Sequence, residues 1–245
     1  MDLNQPYRFP LEYEFPAVLI HASESAVKQH PSYAAAKSGD VDAAFDLVLK
    51  TINEKVVDSL SELLKNDIPI LISVHAEEAA GINAIPEVMA DFLSYMLGLE
   101  IEKSVVQANV VNHTGAGGFA RMARQAIFAG EIISGRKYLI VDDFIGQGGT
   151  IANLRGHILH QGGVVIGATV LTGKDYSAIL GLNLNKLSDL RRQHGQIENW
   201  WRQRFGFGFD CLTASEARYL INTPTSQTIL NRIEETDAEV KRNVR

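Results

Sequence analysis

The chain has 245 residues, a single cysteine and a formal net charge of −6, with 46% hydrophobic and 21% charged residues. That length fits one domain or at most two at ~150 residues per domain, with enough apolar material for a full core. The acidic balance argues against a protein that neutralises a nucleic-acid backbone, and the lone Cys211 excludes an intrachain disulfide framework or a cysteine-rich zinc site. No apolar run approaches the ~18 residues of a membrane span. Residues 1–5 lack the basic-then-apolar pattern of a signal peptide. The expectation is a soluble, cytoplasmic, folded protein with neither membrane nor nucleic acid as partner.

Residues 1–32 read as an irregular arm, because Pro6, Pro10, Pro16 and Pro31 interrupt any long periodicity. A helical region follows over 41–64, where apolar residues recur at three- and four-residue spacing behind Asp40, a good N-cap. Beyond it, strand and helix alternate. Residues 68–74 form a continuous apolar run and predict a buried strand. The amphipathic stretch 86–97 predicts a helix, with Pro86 in its first turn and Gly98 at its stop. A second strand is expected at 104–111, a mixed segment at 118–129, a third strand at 138–141, a helix at 151–160 and a fourth strand at 164–171. Buried strands alternating with helices imply an α/β fold, with a mostly parallel sheet flanked by helices. After Tyr176 the strand signal disappears. Residues 180–193 look helical, an aromatic cluster spans 200–209, and the last thirty residues are polar and helical. The tail is expected to pack back on the sheet, giving one domain over 1–245: an arm with helices (1–65), a core (66–175) and a C-terminal cap (176–245).

The segment that carries chemistry is Tyr138-Leu139-Ile140-Val141-Asp142-Asp143-Phe144-Ile145-Gly146-Gln147-Gly148-Gly149-Thr150. Four apolar residues make a buried strand with two carboxylates at its C-terminal end, where open α/β sheets bind ligands. A turn with three glycines then leads to a hydroxyl residue that opens a helix. Glycines let backbone amides converge on an anion, and the helix adds the positive end of its dipole. The turn therefore reads as a phosphate cradle, with the acids placed to accept hydrogen bonds from the vicinal hydroxyls of a sugar.

This stretch resembles the phosphoribosyl-pyrophosphate binding motif of type I phosphoribosyltransferases: apolar residues, two acids, four variable positions, then Gly-Gly-Thr. The resemblance implies that Asp142 and Asp143 bind the ribose hydroxyls. It implies that Ile145, Gly146, Gln147, Gly148, Gly149 and Thr150 hold the 5′-phosphate. It also implies Mg²⁺, contacted by Asp142 and Asp143 mostly through substrate and water. In the family a pyrophosphate loop follows the first core strand, and here that slot holds His75, Ala76, Glu77 and Glu78; its two acids depart from the usual small or basic residues. A mobile catalytic loop follows the second core strand, which places Arg121 and Arg124, and less strongly His113, beside the leaving pyrophosphate. Lys174 matches a lysine that reads a purine in some members, and Phe205 to Phe209 would be an aromatic platform for the base. The implied activity is transfer of phosphoribose from phosphoribosyl pyrophosphate to a nucleobase-like acceptor. The implied partners are that substrate, a nucleobase or nucleoside monophosphate, and a second copy of the chain as homodimer.

Other readings compete. A non-catalytic phosphoribosyl-ligand sensor or assembly module on the same fold would explain Glu77 and Glu78. The run Gly115-Ala116-Gly117-Gly118-Phe119-Ala120 fits a dinucleotide-binding fingerprint, but lies far from a first βα turn and leaves the acid–glycine segment unexplained. No G-x-x-x-x-G-K-[ST] occurs. His157 and His160 share a helix without an acid or cysteine to complete a metal site, so they read as surface or packing residues.

Overall fold

The computed structural model describes residues 5–65, 67–75, 77–78, 81–109, 111 and 117–243. Its centre is a five-stranded sheet of β1 (Leu19–Ala22), β2 (Ile70–Ser73), β3 (Ile101–Glu102), β4 (Lys137–Ile145) and β5 (Val164–Gly173). The strands lie in the order β1-β5-β4-β2-β3, and every pairing is parallel. Parallel neighbours need crossovers, and helices supply them. Between β1 and β2 run α1 (Glu24–Lys28), α2 (Tyr33–Lys37), α3 (Val41–Thr51) and α4 (Glu54–Leu63). Helix α5 (Ile85–Leu97) joins β2 to β3, the short α6 (Gly118–Ala123) precedes β4, and α7 (Gly149–His160) joins β4 to β5.

Strand side chains alternate between two faces, and the core divides accordingly. Ile70, Ile72, Tyr138, Ile140 and Val170 pack with Leu154 and Ile158 of α7. Their neighbours Leu71, Leu139, Val141 and Leu171 pack with Leu47 of α3, Leu60 of α4 and Met89 of α5. The sheet is thus covered on both sides, as its near-continuous apolar strands require. A third cluster gathers Trp201, Phe205, Phe207 and Phe209 around Met122 of α6 and Leu220. It is built by α8 (Leu184–His194), α9 (Glu198–Phe205), α10 (Ala214–Ile221) and α11 (Ser226–Asn243). The tail's aromatics therefore close on one another and on α6 rather than on the sheet.

Several sequence expectations shift. The arm is not wholly irregular: β1 adds a strand to the sheet edge, with Leu19 opposite Thr169. The helical region 41–64 is two helices, because Ile52 turns extended and the Asn53 side chain accepts from the Lys55 amide to start α4. The strand expected at 104–111 sits at Ile101–Glu102 instead. There the Glu102 carboxylate accepts from the Ser104 amide at 2.7 Å, and Val106–Gln107 turns away to pair antiparallel with Phe128–Ala129. Two expectations hold closely. The Asp40 side chain caps α3 through the Ala43 amide, and Gly98 ends α5 with φ of 68°.

Candidate functional site

Strand β4 is longer than its four apolar residues announce. Its ladder with β5 runs on through Asp142 opposite Val170 to Ile145 opposite Gly173, so both acids lie inside the strand rather than after it. Alternation separates them. Val141 belongs to the face covered by α3 to α5, so Asp143 shares that face while Asp142 points to the side of α7. The Asp143 carboxylate accepts from the Lys37 ammonium of α2 at 3.1 Å, with both side chains largely buried. Asp142 accepts from the Asp143 backbone amide at 2.8 Å. Burial, and secondarily the charge of Asp143, push the Asp142 carboxyl well above the usual range. The pair thus combines one acid that favours its neutral form with one carboxylate held by an ammonium.

The turn after β4 is shaped by its neighbours. The Gly146 carbonyl accepts from Ser177 Oγ at 2.6 Å, the Gln147 carbonyl from Thr213 Oγ1 at 2.6 Å, and the Gly149 carbonyl from Arg8 Nη2 at 3.2 Å. In a trans peptide the next residue's N–H points opposite to the carbonyl. Tying these oxygens down therefore aims the amides of Gln147, Gly148 and Thr150 the other way. Gly148 takes φ of 80° as the N-cap of α7, which a residue with a Cβ adopts only under strain. The first amides of α7 have no partners within the helix, so the turn gathers donors at a positive helix end. Gln147 Oε1 is buried with no hydrogen-bond partner among the described residues.

The cleft in front of this turn measures about 150 Å³ and is lined by Asp142, Asp143, the turn, Arg121 and Gln125. Arg121 lies at the turn: a Cβ on Gly146 would clash with its Nη1, and its guanidinium sits 5.9 Å from the centre of the Phe144 ring. Burial lowers its pKa, but a guanidinium starts so high that it keeps its charge at neutral pH. Arg124 ends α6, and it is not among the described residues that line the cleft. His75 stands beside β2 with Nδ1 3.8 Å from Glu87 Oε2. Glu77–Glu78 form a two-residue ladder with Gly81–Ile82, and Asn83 just beyond reaches the cleft. Ala76 and His113 lie outside the described residues.

Lys174 pairs with Glu24, which holds Lys28 at 2.6 Å as well. Phe205, Phe207 and Phe209 are buried in the C-terminal cluster, so the expected base platform is core instead. In the glycine run expected of a dinucleotide fold, Gly117 caps a six-residue helix. His157 bonds the Gly130 carbonyl and His160 stacks on Tyr7 with centroids 3.6 Å apart, both packing roles as expected.

Sequence reasoning missed four contributors. Lys28 and Lys37 line the cleft from α1 and α2, and Tyr33 joins them. The fourth is Arg8, from the arm. Its fully buried guanidinium pairs with Glu216 at 2.6 and 2.9 Å and donates to Gln125 at 3.0 Å as well as to the Gly149 carbonyl. Glu216 also closes a capping box on Thr213, the residue that ties the turn. The only sequence signal for this network was Thr213-x-x-Glu216 ahead of α10. Among the described residues no three His, Cys, Asp or Glu side chains gather as a metal cage. Asp142 and Asp143 are the residues that would hold Mg²⁺, shared with substrate phosphates and waters.

No family model matches the chain. It is 40% identical to Protein TraN of Escherichia coli over 221 residues, covering 90% of this chain and 49% of that one. It is 36% identical to an uncharacterized protein of Haemophilus influenzae, over 64% of this chain and 35% of that one. The chain spans about half the length of the first relative and about a third of the second. Similar solved structures include adenine phosphoribosyltransferase from Thermoanaerobacter pseudethanolicus, with TM-score 0.34 and 19% identity over 52% of this chain and 73% of that one. Orotate phosphoribosyltransferase from Mycobacterium tuberculosis gives a TM-score of 0.29 and 14% identity over 58% of this chain and 69% of that one.

Proposed function

We propose that the cleft binds phosphoribosyl pyrophosphate and that the chain is a phosphoribosyltransferase. The observation that supports this best is one strand–turn–helix unit that sets a carboxyl pair beside a glycine turn whose carbonyls are tied away. The 5′-phosphate would rest on the freed amides at the start of α7, and the sugar hydroxyls would meet Asp142 and Asp143. A ring nitrogen of a nucleobase-like acceptor forms the new bond to C1 as the C1–oxygen bond breaks. The electron pair of that bond leaves on pyrophosphate, and the acceptor's proton passes to solvent or a base. Arg121, which lines the same cleft beside Gly146, would hold the departing anion. Mg²⁺, carried between the substrate phosphates and the acid pair, would supply charge neutralisation. Cytoplasmic residence and a homo-oligomer belong to the same reading. Among the described residues no helix is long and apolar enough to cross a membrane.

A second reading, a sensor that binds the ligand without turnover, is favoured by the two acids Glu77 and Glu78 in the slot where the resembled family has its pyrophosphate loop. One set of measurements separates them. Phosphoribosyl pyrophosphate with Mg²⁺ should raise the melting temperature, since ligand at 100 times its dissociation constant stabilises by about 2.7 kcal/mol. The Asp142→Asn, Asp143→Asn double variant should melt cooperatively and lose that shift; retention of the full shift would remove the sugar from the acids. Pyrophosphate release on adding a panel of bases marks the enzyme, whereas binding without release under every base marks the sensor.

A further inference from the structure

The helices α1 and α2 lie outside the phosphoribosyltransferase resemblance, yet α2 brings an ammonium group to the acid pair and α1 brings another to the cleft lining. Lys37 Nζ stands 3.1 Å from Asp143 Oδ2, with the two side chains only 13% and 12% exposed. Lys28 Nζ lies 4.5 Å from the centre of the Phe144 ring, next in sequence to the pair. In a chain of net charge −6, cations gathered at one cleft point to an anion there. The glycine turn already offers a seat for one phosphate. The slot that the resemblance assigns to the second anion, 75–81, carries Glu77 and Glu78, whose charges would repel it.

We propose that Lys37 is the second anion subsite of the cleft and takes the diphosphate carried at C1 of the sugar. This rests on the phosphoribosyl reading above. C1 is one carbon from the hydroxyl nearest it, so a group on C1 lies close to whatever holds that hydroxyl. Lys37 already touches the hydroxyl-binding carboxylate and has a flexible four-carbon stem with three rotatable donors. Before ligand arrives, Lys37 Nζ donates to the Asp143 carboxylate. On arrival the sugar hydroxyls donate to Asp143 and the diphosphate accepts from Lys37, so neither buried charge is left unpaired. Lys37 is therefore a counterion that the substrate displaces from the acid and then uses.

The test is calorimetric titration of ribose 5-phosphate and of phosphoribosyl pyrophosphate, at one Mg²⁺ concentration, into the wild type, Lys37→Met and Lys37→Arg. Wild type should bind the diphosphate-bearing sugar more tightly. Lys37→Met should lose about tenfold or more of that affinity, the scale of one hydrogen bond to a charged group. Its affinity for ribose 5-phosphate should hold or rise, because nothing then competes for Asp143. Lys37→Arg should restore most of the loss. If Lys37→Met melts without cooperativity, Lys37→Gln, which keeps a donor but no charge, provides the same comparison. Equal losses on both sugars, or an unchanged affinity for phosphoribosyl pyrophosphate, would overturn the assignment while leaving the phosphoribosyl reading standing. A wild type that binds neither sugar would overturn both.

Discussion

Asp142 and His21 are buried groups that strain the fold at opposite ends of the pH scale. Asp142 has its pKa raised, chiefly by burial, so between about 4 and that raised value the native state binds more protons than the unfolded state. Stability then falls as pH rises through that window. Asn at this position still accepts from the Asp143 amide but carries no charge. Asp142→Asn is accordingly expected to melt at or above the wild type at pH 8, with the gap closing toward pH 4; a deficit that widens with pH would contradict the assignment. His21 runs the other way. Burial pushes it down to about 4, with Nδ1 accepting from the Asn53 amide at 3.2 Å and Nε2 against Thr169 Oγ1 at 3.1 Å. Between the ordinary 6.5 and 4 the unfolded chain takes up a proton that the native state refuses, so stability is lost as pH falls through that window. The full loss is about 3 kcal/mol at 1.36 kcal/mol per unit. Denaturant titrations from pH 7 to 4.5 should show it in the wild type and a flatter slope in His21→Gln.

The unit β4–turn–α7 depends on two glycines for different reasons. At Gly148 the φ of 80° is unfavourable for any side chain, and a Cβ would lie 2.3 Å from Leu180 Cδ2. Gly148→Ala should cost about 1–3 kcal/mol of backbone strain and distort the turn. Calorimetry should then find weaker binding of a 5′-monophosphate, and an affinity equal to wild type would place the cradle elsewhere. Gly156 stands inside α7, where alanine is favoured by about 1 kcal/mol on propensity alone. Its Cβ, however, would meet the Tyr7 carbonyl at 1.9 Å, against backbone rather than a yielding side chain. The clash outweighs the propensity, so Gly156→Ala is expected to lower the melting temperature and unseat the arm from α7.

Across the molecule, Arg8 connects parts that are distant in sequence. One guanidinium joins the arm to Gly149 at the start of α7, to Gln125 after α6 and to Glu216 in α10, and it lies 4.6 Å from the centre of the Phe207 ring. Arg8→Met would leave Glu216 buried without its counter-charge, a change that costs about 3–5 kcal/mol when such a pair is broken. Arg8→Met with Glu216→Met removes both charges and should recover part of the loss in denaturant unfolding. Additive losses would show that the pair is not coupled.

What could be read from the chain alone was whatever is local. The apolar run, the two acids, the glycines and Thr150 are contiguous, and their order already implies a strand, a turn and a helix start with a ligand at the strand end. The caps of α3 and α5 and the covered parallel sheet follow from patterns that span a few residues. Pairings between distant segments left no such mark. β1 is four residues whose strand partner among the described residues is β5, and Lys37 meets Asp143 across 106 positions, Arg8 meets Glu216 across 208. Periodicity records which face of an element is apolar, not which other element will cover it. A single lysine or arginine on a short helix or an arm reads as solvated until tertiary packing removes the water around it. The acids and the glycine turn were therefore legible in the sequence, whereas the cations that face them were decided only when the chain closed on itself.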